Sequence, residues 1–129
     1  MIVVDSSVIV HFLLHSTASG ELSRVIAEED VLAAPAIVDL EVLNTLRKLV
    51  QSRQINSEVA GRAVENYGDI RLELHDTRPM LKRVWEFRNN VTAYDAAYLA
   101  LAEQLNVPFL TRDARLARAA PSNIVVHLP

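Results

Sequence analysis

Four carboxylate side chains in this sequence lie beside short apolar segments of the kind that form buried strands and helices. They are Asp5, Glu41, Asp95 and Asp113, and are called the four acids below. Hard oxygen ligands of this kind suit Mg²⁺ or Mn²⁺, which keep several water molecules and also bind phosphate oxygens. If the four acids lie together, they can support metal-dependent hydrolysis of a phosphodiester bond.

The apolar pattern predicts strands that alternate with helices along the whole chain, residues 1–129. Short, wholly apolar runs are typical of strands that helices cover on both faces. Residues 70–74 alternate between apolar and polar, so we expect an edge strand there. The expected strands are 2–4, 31–33, 70–74, 108–110 and 124–126, and the expected helices are 5–14, 19–29, 36–51, 56–68, 77–87, 93–105 and 113–120. This order predicts one α/β domain with a five-stranded parallel sheet flanked by helices on both faces.

The expected sheet would bring the four acids to one edge. Asp5 follows the first strand, and Asp113 lies three residues past Leu110 at the end of the fourth. Asp95 and Glu41 lie near the starts of helices that begin at the same edge, where functional groups of open α/β sheets collect. Two carboxylates about 4 Å apart repel by about 4 kcal/mol at an effective dielectric of 20. No lysine lies near any of the four and nothing else obvious supplies a positive charge, so the pattern indicates a divalent cation.

Each acid taken alone also has an ordinary structural explanation. Asp5 and Asp113 are expected helix N-caps, and Asp95 completes a pattern that is similar to a capping box. Glu41 is harder to explain in this way, because its apolar neighbours predict a largely buried setting in which an unpaired carboxylate is costly. Asp39, two residues earlier, is expected to face solvent. The convergence of all four, rather than any one of them, favours a functional site.

Four short motifs carry the acids along the chain. They are Val3–Ser7, Pro35 followed by Glu41–Asn44, Thr92–Ala96 and Phe109–Asp113. As an ordered set they resemble the successive motifs of PIN-domain ribonucleases, and within that family the chain is most similar to VapC toxins of toxin–antitoxin pairs. One such motif is a weak signal, whereas the ordered set covers essentially the whole chain and is fairly specific.

The resemblance implies a Mg²⁺ or Mn²⁺ site and endonucleolytic cleavage of RNA. It assigns metal binding and catalysis to the four acids, with Thr111 and Ser6 supporting them by hydrogen bonds; Ser6 is a mild variation, since many members have Thr there. It also implies a homodimer and a VapB-type antitoxin whose C-terminal segment fills the acidic groove. The alternative is a catalytically silent PIN-like module that binds a partner protein.

The expected mechanism uses one or two ions, with a metal-bound water that attacks phosphorus in line. Asp95 or Asp113 is a candidate to orient this water, and the sequence does not assign a unique general base. Asn44, one turn beyond Glu41, lies either near the site or on an ordinary helix surface, and the second interpretation is slightly favoured.

Other residues with chemical potential have simpler explanations. His11 and His15 have the i, i+4 spacing of a metal chelate, but no zinc-protease glutamate accompanies them. Tyr94 and Tyr98 can stack on a base or pack in the core, and packing is the better interpretation. Three arginines of the last helix are expected to lie on a solvated face rather than on RNA phosphates: Arg112, Arg115 and Arg118.

Composition limits the classes of protein. The chain has no cysteine, which excludes a disulfide scaffold, a thiolate zinc site and a cysteine nucleophile. Its net charge of −3 argues against a generic DNA-coating protein. No apolar stretch approaches the roughly 20 residues of a membrane helix, so we expect a soluble, cytoplasmic protein.

Competing enzyme classes lack residues that they need. An aspartyl-nucleophile phosphatase commonly has a second Asp two residues after the first, and this position is Ser7. A phospho-receiver domain needs a lysine late in the chain, whereas the last lysine here is Lys82. No glycine-rich phosphate loop occurs, which argues against a nucleotide-binding switch.

Overall fold

The computed structural model describes residues 1–15, 21–29 and 31–129. The strands are β1 (Ile2–Val4), β2 (Leu32–Pro35), β3 (Leu72–His75), β4 (Phe109–Leu110) and β5 (Val126–His127). The helices are α1 (Ser6–His15), α2 (Glu21–Glu28), α3 (Val38–Gln51), α4 (Ser57–Gly68), α5 (Leu81–Glu86), α6 (Ala93–Leu105) and α7 (Ala114–Ala119), with a 3₁₀ turn at Arg78–Met80. The start expected for the second helix, at residue 19, lies outside the described residues. The predicted alternation of strands and helices is confirmed.

The sheet is parallel throughout and has the strand order β3-β2-β1-β4-β5. The chain proceeds from β1 to one side through β2 and β3, and later to the other side through β4 and β5. The direction therefore reverses at β1, and the crevice for ligands in such a sheet lies beyond the carboxyl ends of the strands that flank the reversal. The strand expected at an edge is β3, which confirms that prediction.

The core lies around β1 and α6. Residues Ile2, Val3 and Val4 are at most 1 % exposed, so both faces of the central strand are covered. One covering layer includes α6, which contacts β1, β2 and β4 and is buried throughout Ala96–Ala102, while α1, α3 and α4 contact one another. Helices therefore flank the sheet on both faces, as predicted. No helix in the described residues is long and apolar enough to cross a membrane.

Several element boundaries differ from the predicted ones by one or two residues, and two of these differences arise because backbone groups have other partners. The third helix begins at Val38 rather than at 36, since the N–H of Ala36 donates to the carbonyl of His75 at 2.9 Å and so continues the sheet. The last strand begins later than 124, because the N–H of Ile124 donates to the carbonyl of Pro121 at 3.0 Å within a turn.

The helix predicted from Thr77 is divided in two. Pro79 has no N–H, and the chain first forms a 3₁₀ turn in which the N–H of Met80 donates to the carbonyl of Thr77 at 2.9 Å. Asp76 rather than Thr77 caps this turn, since its Oδ1 accepts the N–H of Arg78 at 3.0 Å. The α-helix proper, α5, follows.

A hydrogen bond between Asp39 and Tyr67 joins α3 to α4. The Tyr67 hydroxyl donates to Asp39 Oδ1 at 2.6 Å, and both side chains are half-buried, so the prediction that Asp39 faces solvent is wrong. Burial and the neighbouring carboxylate raise the pKa of Tyr67, which keeps its hydroxyl protonated. The pair lines a cavity of about 440 Å³ together with apolar side chains that include Leu43, Val64 and Leu74.

Replacing Tyr67 with phenylalanine should lower the free energy of unfolding by about 1 kcal/mol, because Asp39 then loses a buried hydrogen-bond donor. Urea denaturation followed by circular dichroism measures the change. Tyr94→Phe is the matched control, since the side chain of Tyr94 is exposed, and it should leave the midpoint unchanged. Equal midpoints for both variants would show that the bond between Tyr67 and Asp39 contributes nothing.

Candidate active site

Asp5 lies between the end of β1 and the start of α1, and only 5 % of its surface is exposed. Its Oδ1 accepts the Ser7 hydroxyl at 2.5 Å and the Val8 N–H at 3.1 Å, and its Oδ2 accepts the hydroxyl of Thr111. The contact with Val8 is the N-cap expected from the sequence. The contacts with Ser7 and Thr111 fix both carboxylate oxygens in place, so Asp5 is the most constrained of the four acids.

Thr111 follows β4 and links Asp5 to Asp113. It is fully buried, and while its hydroxyl donates to Asp5, the hydroxyl oxygen accepts the N–H of Asp113 at 3.0 Å. Asp113 Oδ1 in turn accepts the N–H groups of Arg115 and Leu116 at 2.9 and 3.2 Å. Asp113 is therefore the predicted N-cap of α7, and its backbone is tied to the residue that holds Asp5.

Glu41 lies in the first turn of α3 and is half-buried. The Tyr98 hydroxyl of α6 donates to Glu41 Oε1 at 2.5 Å. Burial and Glu41 raise the pKa of Tyr98, and the nearby Ser6 side chain opposes this rise. Tyr98 is 1 % exposed and stacks on Phe109 with ring centroids 6.2 Å apart, so it packs in the core as predicted and also reaches the site. The sequence predicted that the apolar neighbours of Glu41 are buried. This prediction is wrong for Leu40, which is 64 % exposed.

Asp95 lies in the first turn of α6, where its N–H donates to Thr92 Oγ1 at 3.2 Å. Thr92 is thus the N-cap of α6, as predicted. The Asp95 carboxylate takes no part in this cap. Asp95 Oδ2 lies 3.6 Å from Nη2 of Arg115, and Asp113 Oδ2 lies 3.9 Å from the same nitrogen. The sequence predicted no positive side chain among the acids, and Arg115 corrects this. Its side chain is 71 % exposed, so these ion pairs are weak.

Burial and mutual repulsion raise the pKa of Asp5, Glu41 and Asp95. Burial is the largest cause for each of the three. Repulsion adds to it: Asp113 raises the pKa of Asp5 and Asp95, while Asp95 and Asp5 raise that of Glu41. Hydrogen bonds to Asp5 and Glu41, and the charge of Arg115 beside Asp95, oppose these shifts. Each acid is thus an electrostatic neighbour of two others.

The ligand set of this site consists of carboxylate oxygens, which Mg²⁺ and Mn²⁺ prefer. A carboxylate has about four lone-pair sites, so the hydrogen bonds described above leave acceptor capacity on every acid. Within the described part of the chain, no three His, Cys, Asp or Glu side chains are already arranged to hold an ion. The acids therefore fit a divalent cation by their chemistry and charge rather than as a closed set of ligands.

Three side chains contribute to this arrangement although the sequence pattern did not assign them to the site: the Ser7 hydroxyl, the Tyr98 hydroxyl and the Arg115 guanidinium. Ser6 was expected to support the acids, Tyr98 to pack in the core, and Arg115 to lie on a solvated face. A helical spacing could have found one of them. Tyr98 follows Asp95 by three residues, which places both on one face of α6. Ser7 and Arg115 each lie two residues after an acid, a spacing that carries no comparable signal.

Comparison with known proteins decides the family. The sequence matches the family described as PIN domain over residues 2–121. The chain belongs to the PIN-domain family. Ribonuclease VapC1 of Mycobacterium tuberculosis is 38 % identical over 118 residues, which are 91 % of this chain and 89 % of that protein. Ribonuclease VapC12 of the same species is 34 % identical over 128 residues, 99 % of this chain and 98 % of that protein.

A solved structure has the same fold as this PIN domain. VapBC2 from Rickettsia felis, bound to a DNA fragment from its promoter, superposes with a TM-score of 0.72 at 16 % sequence identity, covering 100 % of this chain and 99 % of that chain. The fold predicted from the sequence is thereby confirmed. Together with the VapC relatives, the family match also confirms the predicted class, a PIN-domain endoribonuclease of the VapC toxin type.

Replacing Asp95 with asparagine should stabilise this PIN domain at neutral pH in metal-free buffer. The folded-state pKa of Asp95 is raised, so the wild type loses stability as pH rises from about 4 through that raised value. The variant has no ionisable group there and does not share the loss. Urea denaturation across this range, with EDTA present, should show a stability difference that grows with pH and then levels off.

The control for this pH series is Asp69→Asn, at an exposed carboxylate just after α4. At pH 7 it should not reproduce the gain in stability expected of Asp95→Asn, because its side chain is exposed to solvent. An Asp95→Asn protein that is less stable than the wild type at pH 7 would contradict the assignment of net repulsion to this position.

Proposed function

We propose that this PIN domain hydrolyses RNA phosphodiester bonds with Mg²⁺ or Mn²⁺ held by the four acids. One observation carries the proposal: carboxylates from the ends of β1 and β4 and from the first turns of α3 and α6 lie close enough at one edge of the sheet for their negative charges to repel one another. The cation described beside them, Arg115, is exposed and lies at ion-pair distances of 3.6 and 3.9 Å. A divalent ion would relieve this repulsion more completely.

The residues differ in how firmly they are held, which suggests different roles. Asp5 is fixed by three donors and Glu41 by Tyr98, so these two would give the most constant metal contacts. A bound Mg²⁺ or Mn²⁺ would activate water and neutralise charge on the phosphate. Rigid ligands favour this chemistry, because they need little reorganisation when substrate arrives.

Asp95 is the residue that we propose to orient the attacking water and accept its proton. Its carboxylate is not used as a cap, is partly exposed, and has a raised pKa, which suits a proton acceptor. Asp113 is less free, since its Oδ1 caps α7. Arg115 lies beside both, and because its ion pairs with them are weak, it can also pair with an RNA phosphate, where charge-assisted hydrogen bonds are strong.

The partners of this PIN domain are also proposals. The VapBC2 complex supports a VapB-like antitoxin as the protein partner. Leu81 and Trp85 are large apolar side chains, both exposed and one turn apart on α5, and Arg88 covers part of the Trp85 ring. These exposed apolar side chains support a homodimer. Cytoplasmic location stays a prediction from the sequence.

Purified protein should cleave single-stranded RNA with Mg²⁺ or Mn²⁺, and EDTA should abolish cleavage. Asp5→Asn and Glu41→Gln should each lower kcat by about a hundredfold or more, because several kcal/mol of charge stabilisation is lost. A fluorogenic oligonucleotide measures the rate, and circular dichroism checks that each variant folds.

Asp39→Asn is the matched control, since this carboxylate lies on α3 two residues before Glu41 but bonds Tyr67 instead. It should cleave at nearly the wild-type rate. If Asp5→Asn and Asp95→Asn both cut RNA as fast as the wild type, the assignment of the four acids as the catalytic site is wrong. The silent-module alternative instead predicts no metal-dependent turnover by the wild type and tight association with a partner protein.

A further inference from the structure

A cavity of about 300 Å³ lies directly beside the four acids. It is lined by Ile37, Leu40, Glu41, Asn44 and Tyr94. Glu41 belongs both to this cavity and to the site, and Tyr94 directly precedes Asp95 in the chain. The cavity is therefore adjacent to the proposed metal ligands. A nucleotide whose phosphate binds at the four acids can place its base in this cavity.

Tyr94 is a large aromatic residue left in solvent. It is 60 % exposed, whereas Tyr98, one turn further along α6, is 1 % exposed. The sequence favoured packing for both tyrosines; that interpretation holds for Tyr98 and is wrong for Tyr94. Among the described residues, no aromatic or cation–π contact occupies the Tyr94 ring. A free ring at the wall of a cavity suits base stacking, which is worth about 1–3 kcal/mol per base in other proteins.

The rest of the cavity complements a base. Asn44 is exposed on α3 and carries an amide that both donates and accepts hydrogen bonds, as the edges of unpaired bases require. Leu40 and Ile37 form an apolar wall. The volume is at the lower limit of ordinary ligand pockets, which suits one planar ring system rather than a protein segment.

We propose that this cavity binds the nucleobase next to the scissile phosphate, with Tyr94 stacking on its face and Asn44 contacting its edge. The inference rests on the proposed ribonuclease function, because it assigns a subsite for that RNA substrate. A second cavity of about 210 Å³, on the α5 side of Tyr94, has Leu81 and Val84 in its lining. It contains neither Glu41 nor Asn44, so the base is assigned to the first cavity.

The first test compares Tyr94→Ala with Tyr94→Phe on a short RNA that the wild type cleaves. Tyr94→Ala should raise KM by about tenfold or more, as expected for one lost stacking contact, and Tyr94→Phe should stay near the wild-type value because the ring is kept. Equal KM values for the two variants would overturn the inference. So would a change of oligomeric state in Tyr94→Ala, measured by sedimentation, since the ring would then belong to a protein interface.

A binding measurement separates this inference from the proposed activity. RNA oligonucleotides with 2-aminopurine at each position in turn are mixed with the Asp95→Asn protein in EDTA, so that no cleavage is expected. One position should be quenched, and the quenching should persist with Tyr94→Phe in the same background and disappear with Tyr94→Ala. If it occurs although the wild type cleaves no RNA, the subsite stands and the ribonuclease proposal fails. If cleavage occurs without position-dependent quenching, the ribonuclease stands and the subsite is wrong.

The role of Asn44 has its own readout. Four RNAs that differ only at the quenched base are cleaved in competition. Asn44→Ala should reduce the wild-type preference among them, because a lost edge contact affects some bases more than others. Asn66→Ala, at an exposed position on α4, is the matched control and should keep the preference. An unchanged preference in Asn44→Ala would remove Asn44 from the proposed subsite.

Discussion

The hydrogen bonds around Asp5 are the constraint on which the rest of the site depends. An ionised carboxylate at the end of a buried strand is costly unless donors surround it, and Ser7, Val8 and Thr111 are those donors. Two of them lie on α1 and the third follows β4, so one carboxylate joins the start of a helix to the neighbouring strand. Because Thr111 also accepts the N–H of Asp113, the same contacts that solvate Asp5 position a second acid.

The four acids repel one another next to the most buried part of the fold, which can compensate for the lost stability. The acids lie at the edge of the sheet, while the strand beneath Asp5 and most of α6 are fully buried. The alanines of α6 allow this helix to approach the sheet closely. Tyr98 lies in the same buried stretch and donates a hydrogen bond from its hydroxyl to Glu41. The apolar core thus offsets the charge burial that raises the pKa of Asp5, Glu41 and Asp95. The carboxylates proposed for function thus lower the stability of the fold at this site, as catalytic groups do in many enzymes.

The sequence predicted the fold and the positions of the acids because both follow from short-range patterns. Apolar runs define strands, and caps such as Asp5 and Asp113 mark helix starts at the edge where sites form. Side-chain partners depend on geometry that no local pattern encodes. Neighbouring residues of a helix point about 100° apart, so whether Ser6 or Ser7 meets Asp5 follows from the entry angle of α1. The contact of Asp39 with Tyr67 similarly depends on how α4 packs on α3.

The two tyrosines of α6 show how one helix can serve the core and the substrate. Tyr94 and Tyr98 are four residues apart and lie on the same side of the helix, yet one is in solvent and the other is buried. The difference follows the burial of α6, since Ala93 and Tyr94 at its start are exposed whereas Ala96–Ala102 are buried in the core. That uncovered turn carries both Asp95 and Tyr94. The first turn of α6 therefore places the proposed phosphate site at Asp95 and the proposed base site at Tyr94 next to each other.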